Sequence, residues 1–153
     1  MNIEETFDYH IRSTLFSMMR MYNLIAAENG ITQAIGYVLI LIEEDGIPAT
    51  KIAPVMGMGT SSLTRLLKNM EEDGLLYREP DAHDGRVVNI FLTEKGKELR
   101  EKAKKVVLNF NEKLYKKITK KEMETFAKVT AVIREQVQTE IEEFQKNKNQ
   151  KKP

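Results

Sequence analysis

The chain has 153 residues, of which 41% are hydrophobic and 31% charged, and its formal net charge at pH 7 is +1. This composition is typical of one compact domain or of two small, closely packed ones. The chain has no cysteine, which excludes disulfides, thiolate metal sites and thiol redox switches. Because no secretory signal and no apolar run of about 18 residues is found, we expect a cytoplasmic protein without a membrane span.

The first two predicted elements are amphipathic helices. Apolar residues recur at every third or fourth position from Glu4 to Ala27. Asn29-Gly30 is predicted to end this helix, because both residues accept the left-handed backbone conformation of a C-terminal cap. Thr32 is the predicted N-cap of a second helix, which passes through Ile42 and closes at Asp45-Gly46.

Two short helices joined by a glycine turn come next. The first is predicted from Pro48 to Met56 and the second from Thr60 to Glu72, with Gly57-Met58-Gly59 as the turn. The residues expected to face the core from the first helix are Ile52, Val55 and Met56. Those of the second are Leu63, Leu66, Leu67 and Met70. This arrangement is typical of a helix-turn-helix.

A hairpin follows, because the helical period gives way to alternation. We predict strands at Leu75–Glu79 and Val87–Leu92, joined by the turn sequence PDAHDGR. A hairpin directly after a helix-turn-helix is a wing.

Two long helices complete the chain. Thr93 is the predicted cap of a basic helix that ends near Ile118, and Thr119 caps a last helix. The polar, basic tail at residues 146–153 is predicted to be disordered. The first and last helices carry continuous apolar stripes, which either pack in a bundle within one chain or form a two-fold dimer. We favour the dimer, because long terminal helices supply the self-complementary surface that a two-fold reader of DNA needs.

Several strings between residues 31 and 100 together resemble the MarR family of bacterial regulators. The most specific are SSLTRLLKNMEEDGLLYRE, the D-x-R pattern of Asp84-Gly85-Arg86, and LTEKGKEL. The resemblance implies a DNA-binding transcription regulator, a repressor acting as a homodimer on a pseudo-palindromic operator and released by a small-molecule effector. The two half-sites would lie about one helical turn apart.

The predicted fold is mainly α with a small β-hairpin wing. Residues 31–100 form the winged helix-turn-helix DNA-binding domain, called the winged module below. Residues 1–30 and 101–145 form the helical dimerisation region.

The second helix of the helix-turn-helix is the predicted recognition helix. Its candidate DNA-binding residues lie on the faces that the leucines do not use, and they are Thr60, Ser61, Ser62, Thr64, Arg65 and Lys68. Small hydroxyls and unpaired N–H groups at a helix start suit bases and phosphates, and an arginine can contact guanine or clamp a phosphate. A simpler interpretation is that Thr60 and Ser61 cap the helix and that the cations are solvated.

The wing supplies a further predicted DNA contact. By the resemblance, Arg86 enters the minor groove and Asp84 orients it, since a narrow minor groove concentrates negative potential. Gly85 stands where the family often has a second basic residue, which lowers the charge of this wing. His83 either contacts a phosphate or has no role.

The charge of this region is low for a nucleic-acid reader. Residues 59–100 contain seven cationic and eight anionic side chains, a net charge of −1. We therefore expect weak non-specific DNA binding and dependence on a few well-placed cations.

An effector pocket is predicted beside the first helix. Its residues are His10, Thr14, Ser17 and Met21, with Tyr37 from the second helix. Small polar groups beside an apolar wall suit a small apolar or aromatic anion, although they equally suit a helix boundary that faces water.

Other functions are less well supported. The two histidines lie in separate elements and do not form a metal-ligand pattern, and no catalytic motif is present. We therefore expect no metal, no cofactor and no enzymatic activity. Two alternatives to a DNA reader stay open: a winged-helix protein-interaction module without DNA binding, and a small-molecule carrier.

Overall fold

The computed structural model describes residues 1–81, 84 and 86–150, with the side chains of 149 and 150 excepted. It contains two compact units, Met1–Val107 and Leu108–Pro153, so residues 1–30 group with the winged module. The predicted fold class is confirmed, since helices dominate and one small antiparallel sheet forms the wing. Among the helices of the described residues, none combines the length and the hydropathy of a membrane span.

The first two helices begin at threonine caps. A short 3-10 helix, Ile3–Glu5, precedes α1 (Phe7–Ala27), so the helix predicted from Glu4 begins three residues later. The Thr6 hydroxyl oxygen accepts the Tyr9 N–H at α1. The predicted cap Thr32 is confirmed, because its hydroxyl oxygen accepts the Ile35 N–H at the start of α2 (Gln33–Leu41).

The helix-turn-helix follows a two-residue strand that the sequence did not predict, β1 (Ile47–Pro48). The two helices are α3 (Ala49–Met56) and α4 (Thr60–Glu72), and Gly57 adopts the left-handed conformation between them (φ 61°). Val55 is 53% exposed, so the prediction that it faces inward is wrong. Ile52, Ala53 and Met56 form the side of α3 that packs on the core. Val55 projects from a different side of the helix, which faces solvent.

The wing strands β2 (Leu76–Pro80) and β3 (Val88–Leu92) each begin one residue after the predicted start. The sheet is antiparallel with the order β1-β3-β2, and Tyr77 faces Phe91 across the ladder. Their rings stack at 5.5 Å on the side of the sheet opposite the buried Leu76 and Ile90.

Two long helices end the described chain, α5 (Glu94–Tyr115) and α6 (Lys120–Gln150). Both predicted caps are confirmed, because the hydroxyl oxygens of Thr93 and Thr119 accept backbone N–H groups of the first turns. Helix α6 includes residues 146–150, which were predicted to be disordered, and residues 151–153 lie outside the described part.

The winged module has one apolar core, to which α2, α3, α4 and the sheet all contribute. Its buried members are Val38, Leu39, Ile42, Ile52, Leu63, Leu67, Met70, Leu75, Leu76, Ile90 and Leu92. Because α4 contributes three of these residues, its rotation about its own axis is fixed by packing. The opposite face of α4 is thereby presented to solvent.

Candidate nucleic-acid interface

Helix α4 separates apolar and polar residues sharply. Leu63, Leu67 and Met70 are at most 4% exposed, and Leu66 is half-buried, as predicted for one apolar face. All six predicted DNA-binding residues are exposed: Thr60, Ser61, Ser62, Thr64, Arg65 and Lys68. The structure therefore brings the predicted set together on one helix surface, while their contacts with DNA remain a prediction.

The start of α4 has no side-chain cap. Gly59 is the N-cap residue and Thr60 the first helical residue, so the interpretation of Thr60 and Ser61 as caps is wrong. A glycine N-cap leaves the first-turn N–H groups able to bind an anion, and the exposed hydroxyls lie beside them. The Thr64 hydroxyl donates to the Thr60 carbonyl oxygen (2.8 Å), which orients its oxygen along the helix.

The two cations of α4 are loosely held. Lys68 Nζ lies 3.7 Å from Glu72 Oε1, and both side chains are more than 60% exposed. Such a surface pair contributes about 0–1 kcal/mol, so a phosphate can displace the glutamate at little cost. No ion pair involving Arg65 is found among the described residues. Its guanidinium is thus available to a ligand.

A third cation near α4, Arg78, was not among the predicted site residues. Arg78 on β2 contacts Glu71 on α4, with Nε 3.1 Å from Oε2, and its side chain is only 32% exposed. This pair joins the recognition helix to the wing sheet. No local pattern predicts this ion pair, because the two residues meet only after the hairpin has formed.

The wing arginine is held in a fork by the aspartate two residues earlier. Arg86 Nε donates to Asp84 Oδ1 (3.0 Å), Nη2 donates to Oδ2 (3.2 Å), and the Arg86 backbone N–H also donates to Oδ1 (3.1 Å). These hydrogen bonds hold the pKa of Asp84 below its usual value. The Arg86 side chain is nevertheless 92% exposed, so it is oriented without being buried.

A second layer of side chains supports this fork. The Asp81 carboxylate accepts two hydrogen bonds, one from the Asp84 backbone N–H (3.1 Å) and one from Asn89 Nδ2–H (2.9 Å). The Asp81 N–H donates to the Val87 carbonyl oxygen (2.9 Å), which closes the base of the wing. Asp81 was predicted only as a turn residue, and Asn89 was not among the predicted site residues. The predicted wing residues His83 and Gly85 lie outside the described residues.

The predicted effector residues lie on α1 and α2. His10, Thr14 and Ser17 are exposed, Met21 is half-buried, and Tyr37 is 39% exposed. The Ser17 hydroxyl donates to the Ser13 carbonyl oxygen of its own helix (2.8 Å). A pocket at this place remains a prediction. In the described part of the chain, no three His, Asp or Glu side chains are placed to hold a metal ion.

Comparison with known proteins decides the family. The sequence profile of the MarR family matches residues 34–88. The organic hydroperoxide resistance transcriptional regulator of Bacillus subtilis (strain 168) is 30% identical over 104 residues, which are 67% of this chain and 71% of that protein. The chain belongs to the MarR family.

Other relatives agree with this MarR-family assignment. The HTH-type transcriptional regulator TtmR of Methylorubrum extorquens (strain PA1) is 36% identical over 84 residues, which are 54% of this chain but only 43% of TtmR. The crystal structure of the S. aureus MepR–DNA complex superposes with a TM-score of 0.73 at 26% identity, covering 85% of this chain and 98% of MepR. These relatives are transcriptional regulators, and the family therefore places the chain among regulators rather than enzymes, as predicted.

One relative's name concerns organic hydroperoxides, and this MarR-family chain cannot sense them through a thiol. It has no cysteine at any position. Sulfenic acid and disulfide formation are therefore excluded as a switch.

Proposed function

We propose that the chain is a homodimeric repressor that reads a pseudo-palindromic operator with α4 in the major groove and the wing in the minor groove. The observation that carries this proposal is the exposed polar surface of Thr60–Lys68, held by the buried residues on the other side of α4. A helix whose rotation is fixed by packing can present the same side chains to every operator, which sequence-specific reading requires.

Two arginines provide the central contacts. Arg65 lies at the second turn of α4, where a side chain reaches base edges, and guanine is the base that an arginine binds with two hydrogen bonds. Arg86 extends from the wing on its aspartate fork, which suits the narrow, negative minor groove. The hydroxyls of Ser61 and Ser62 would contact phosphate beside the open start of α4.

A second copy of the chain would cover the apolar surface of the terminal helices. The large apolar residues exposed on α1 include Phe7, Ile11, Leu15 and Phe16. Those exposed on α6 include Phe126, Val132, Val137, Ile141 and Phe144. Several large apolar residues left exposed along one helix are unusual for a monomer and are typical of a helix that packs in an obligate interface. A two-fold dimer would also place two recognition helices on one face for two half-sites.

The signal that releases the operator is proposed to be a small apolar or aromatic anion. Support comes from the exposed polar residues of α1 (His10, Thr14 and Ser17) close in sequence to the half-buried Met21, and from Tyr37 on α2. An effector that releases DNA must bind more weakly when DNA is bound, because coupling between two sites is reciprocal. Ligand affinity measured with and without operator therefore distinguishes a regulator from a carrier.

The proposal is tested by selecting genomic fragments with the purified chain. We expect enrichment of one pseudo-palindrome, with Arg65→Ala and Arg86→Ala each weakening binding by about 1–3 kcal/mol. Lys97→Ala removes a cation of α5 that pairs with the neighbouring Glu94 and belongs to none of the proposed contact sets, so it should leave affinity unchanged. Tight operator binding by the double variant would contradict the mechanism.

A protein-interaction module is the second candidate, favoured by the net charge of −1 over residues 59–100. In that case selection would enrich no DNA sequence, and the Thr60–Lys68 surface would bind a protein instead.

A further inference from the structure

The end of the recognition helix is closed by its own backbone and then held by a neighbouring helix. The Gly74 N–H donates to the Glu71 carbonyl oxygen, the Leu75 N–H donates to the Met70 carbonyl oxygen, and Gly74 has a positive φ of 67°. This is the Schellman motif, which satisfies the carbonyls inside the last turn. It leaves the next carbonyls, those of residues 73–75, pointing beyond the end of α4.

The first turn of α5 binds all three of these carbonyl oxygens. Lys95 Nζ donates to Asp73 O (2.7 Å), and the Thr93 hydroxyl donates to Gly74 O (2.7 Å). The Thr93 backbone N–H donates to Leu75 O (3.2 Å). The residues are about twenty positions apart in sequence, so each hydrogen bond fixes the start of α5 against the end of α4.

Gly96 allows this close approach. A Cβ atom at this position would overlap the Leu75 carbonyl oxygen and would also lie 3.3 Å from a Leu92 methyl group. Gly96 is buried and has no positive φ, so its role is to provide space rather than an unusual backbone conformation. Any side chain here would force the two helices apart.

The charges at this junction are complementary. The last turn of α4 contains Glu71 and Glu72 and no basic residue, although a helix C-terminus favours cations. Lys95 supplies the missing positive charge from another helix. Its side chain therefore binds both a specific carbonyl and the negative end of the α4 dipole.

A similar contact one turn further along α5 holds the end of α2. Arg100 is buried, and its Nη1 donates to the carbonyl oxygen of Ile42, the C-cap residue of α2 (2.9 Å). Helix α2 also lacks a basic residue in its last turn. Glu101 Oε1 accepts from Arg100 Nε (3.2 Å), which compensates the buried charge.

We propose that Thr93, Lys95, Gly96 and Arg100 form a clamp that sets the direction of the recognition helix relative to α5. We call these four residues the α5 clamp. Residues 94–107 of α5 form one uninterrupted helical stretch in the same compact unit as α4, so a change in the direction of this stretch would reach α4 through these contacts rather than be absorbed in a loop. The clamp residues are positioning residues and need not contact DNA. Their effect on operator spacing rests on the proposed function, whereas their geometric effect, which is to set the direction of α4 relative to α5, does not.

The geometric effect is tested by a distance measurement within one chain. Because the chain has no native cysteine, Asn69→Cys on α4 and Lys105→Cys on α5 place two spin labels at exposed positions. Labelled chain is diluted with unlabelled chain, and the distance distribution is measured by pulsed electron paramagnetic resonance. We expect one narrow distribution for the otherwise unchanged protein and a broader or displaced one for Lys95→Met.

Two further variants separate the clamp from general stability. Lys95→Arg keeps a donor for Asp73 O and should restore the narrow distribution. Lys97→Met removes a cation from the same turn that pairs only locally with Glu94 (2.6 Å), and it should change nothing. An unchanged distribution in Lys95→Met, or equal broadening in Lys97→Met, would overturn the clamp.

The functional effect is tested on operators whose half-site spacing differs by one base pair. The affinity ratio between the best and the altered spacing should fall by about threefold to tenfold in Lys95→Met, which is the scale of the net contribution of one hydrogen bond. An unchanged ratio in Lys95→Met, with wild-type discrimination intact, would refute the link to spacing. If the wild-type chain binds no operator, the proposed function fails, and the intrachain distance still decides the clamp.

Discussion

Replacing Asp84 by alanine should weaken operator binding only while Arg86 is present. Asp84 accepts three hydrogen bonds from Arg86, two from the guanidinium and one from the backbone. Because the arginine side chain is 92% exposed, little packing restrains it, and its orientation depends on the hydrogen bonds to Asp84. Without Asp84, the guanidinium must be ordered when it enters the groove, at a cost in side-chain entropy.

The expected magnitudes follow from that geometry. Arg86→Ala removes a groove contact and should weaken specific binding by about 1–3 kcal/mol, or roughly 5- to 150-fold. Asp84→Ala removes the group that orients Arg86 but keeps the positive charge of the arginine. We therefore expect a smaller loss of operator affinity, about threefold to tenfold. In the Arg86→Ala background, Asp84→Ala should cause no further loss, because it has no guanidinium left to orient.

The assay is a fluorescence anisotropy titration of labelled operator with the wild-type chain, the two single variants and the double variant. Thermal unfolding of each protein serves as the control, and the midpoints should agree closely because both side chains are at the surface. If Asp84→Ala weakens binding by the same factor with and without Arg86, the aspartate acts independently, and its role as an orienting residue is refuted.

Three further predictions concern stability, pH and salt. Met70→Ala removes a fully buried side chain and should lower the free energy of unfolding by about 2–5 kcal/mol in urea denaturation, whereas the exposed Val55→Ala should change it by less than about 0.5 kcal/mol; equal effects would contradict the described core. Because the pKa of Asp84 is lowered, the fork is complete above the usual aspartate value and is lost only as pH falls through the lowered pKa. Operator affinity should therefore show no step due to Asp84 between about pH 5 and 8, and Asp84→Asn should leave the pH profile unchanged in shape over that range. Non-specific DNA binding should be weak, with a shallow dependence on salt concentration, because residues 59–100 carry a net charge of −1; a steep slope on random DNA would show that cations elsewhere dominate.

The sequence predicted those parts of the fold that depend on local chemistry. The caps Thr32, Thr93 and Thr119 were found because a hydroxyl at a helix start has a specific local partner. Strand β1 was missed because its two residues pair with β3, more than forty positions away, and carry no period of their own. Val55 was misplaced because the apolar spacing of a short helix does not determine which side packs.

The candidate interface divides in the same way. The polar surface of α4 was predictable, since helical spacing alone separates Arg65 from Leu63 and Leu67. The D-x-R pattern likewise indicated the pair Asp84 and Arg86. The supporting contacts were not predictable, because they join residues distant in sequence, such as Lys95 with Asp73 and Arg100 with Ile42. Only the folded structure brings Lys95 and Arg100, both on α5, to the C-terminal ends of α4 and α2.

The most direct test of the central claim is hydroxyl-radical footprinting on a genomic fragment selected by the wild-type chain. A dimer that reads DNA with α4 and the wing should give two symmetric protected regions about one helical turn apart. Protection in both regions should disappear when Arg65→Ala and Arg86→Ala are combined. A single unsymmetrical footprint, no enriched fragment, or protection that survives in the double variant would contradict the account.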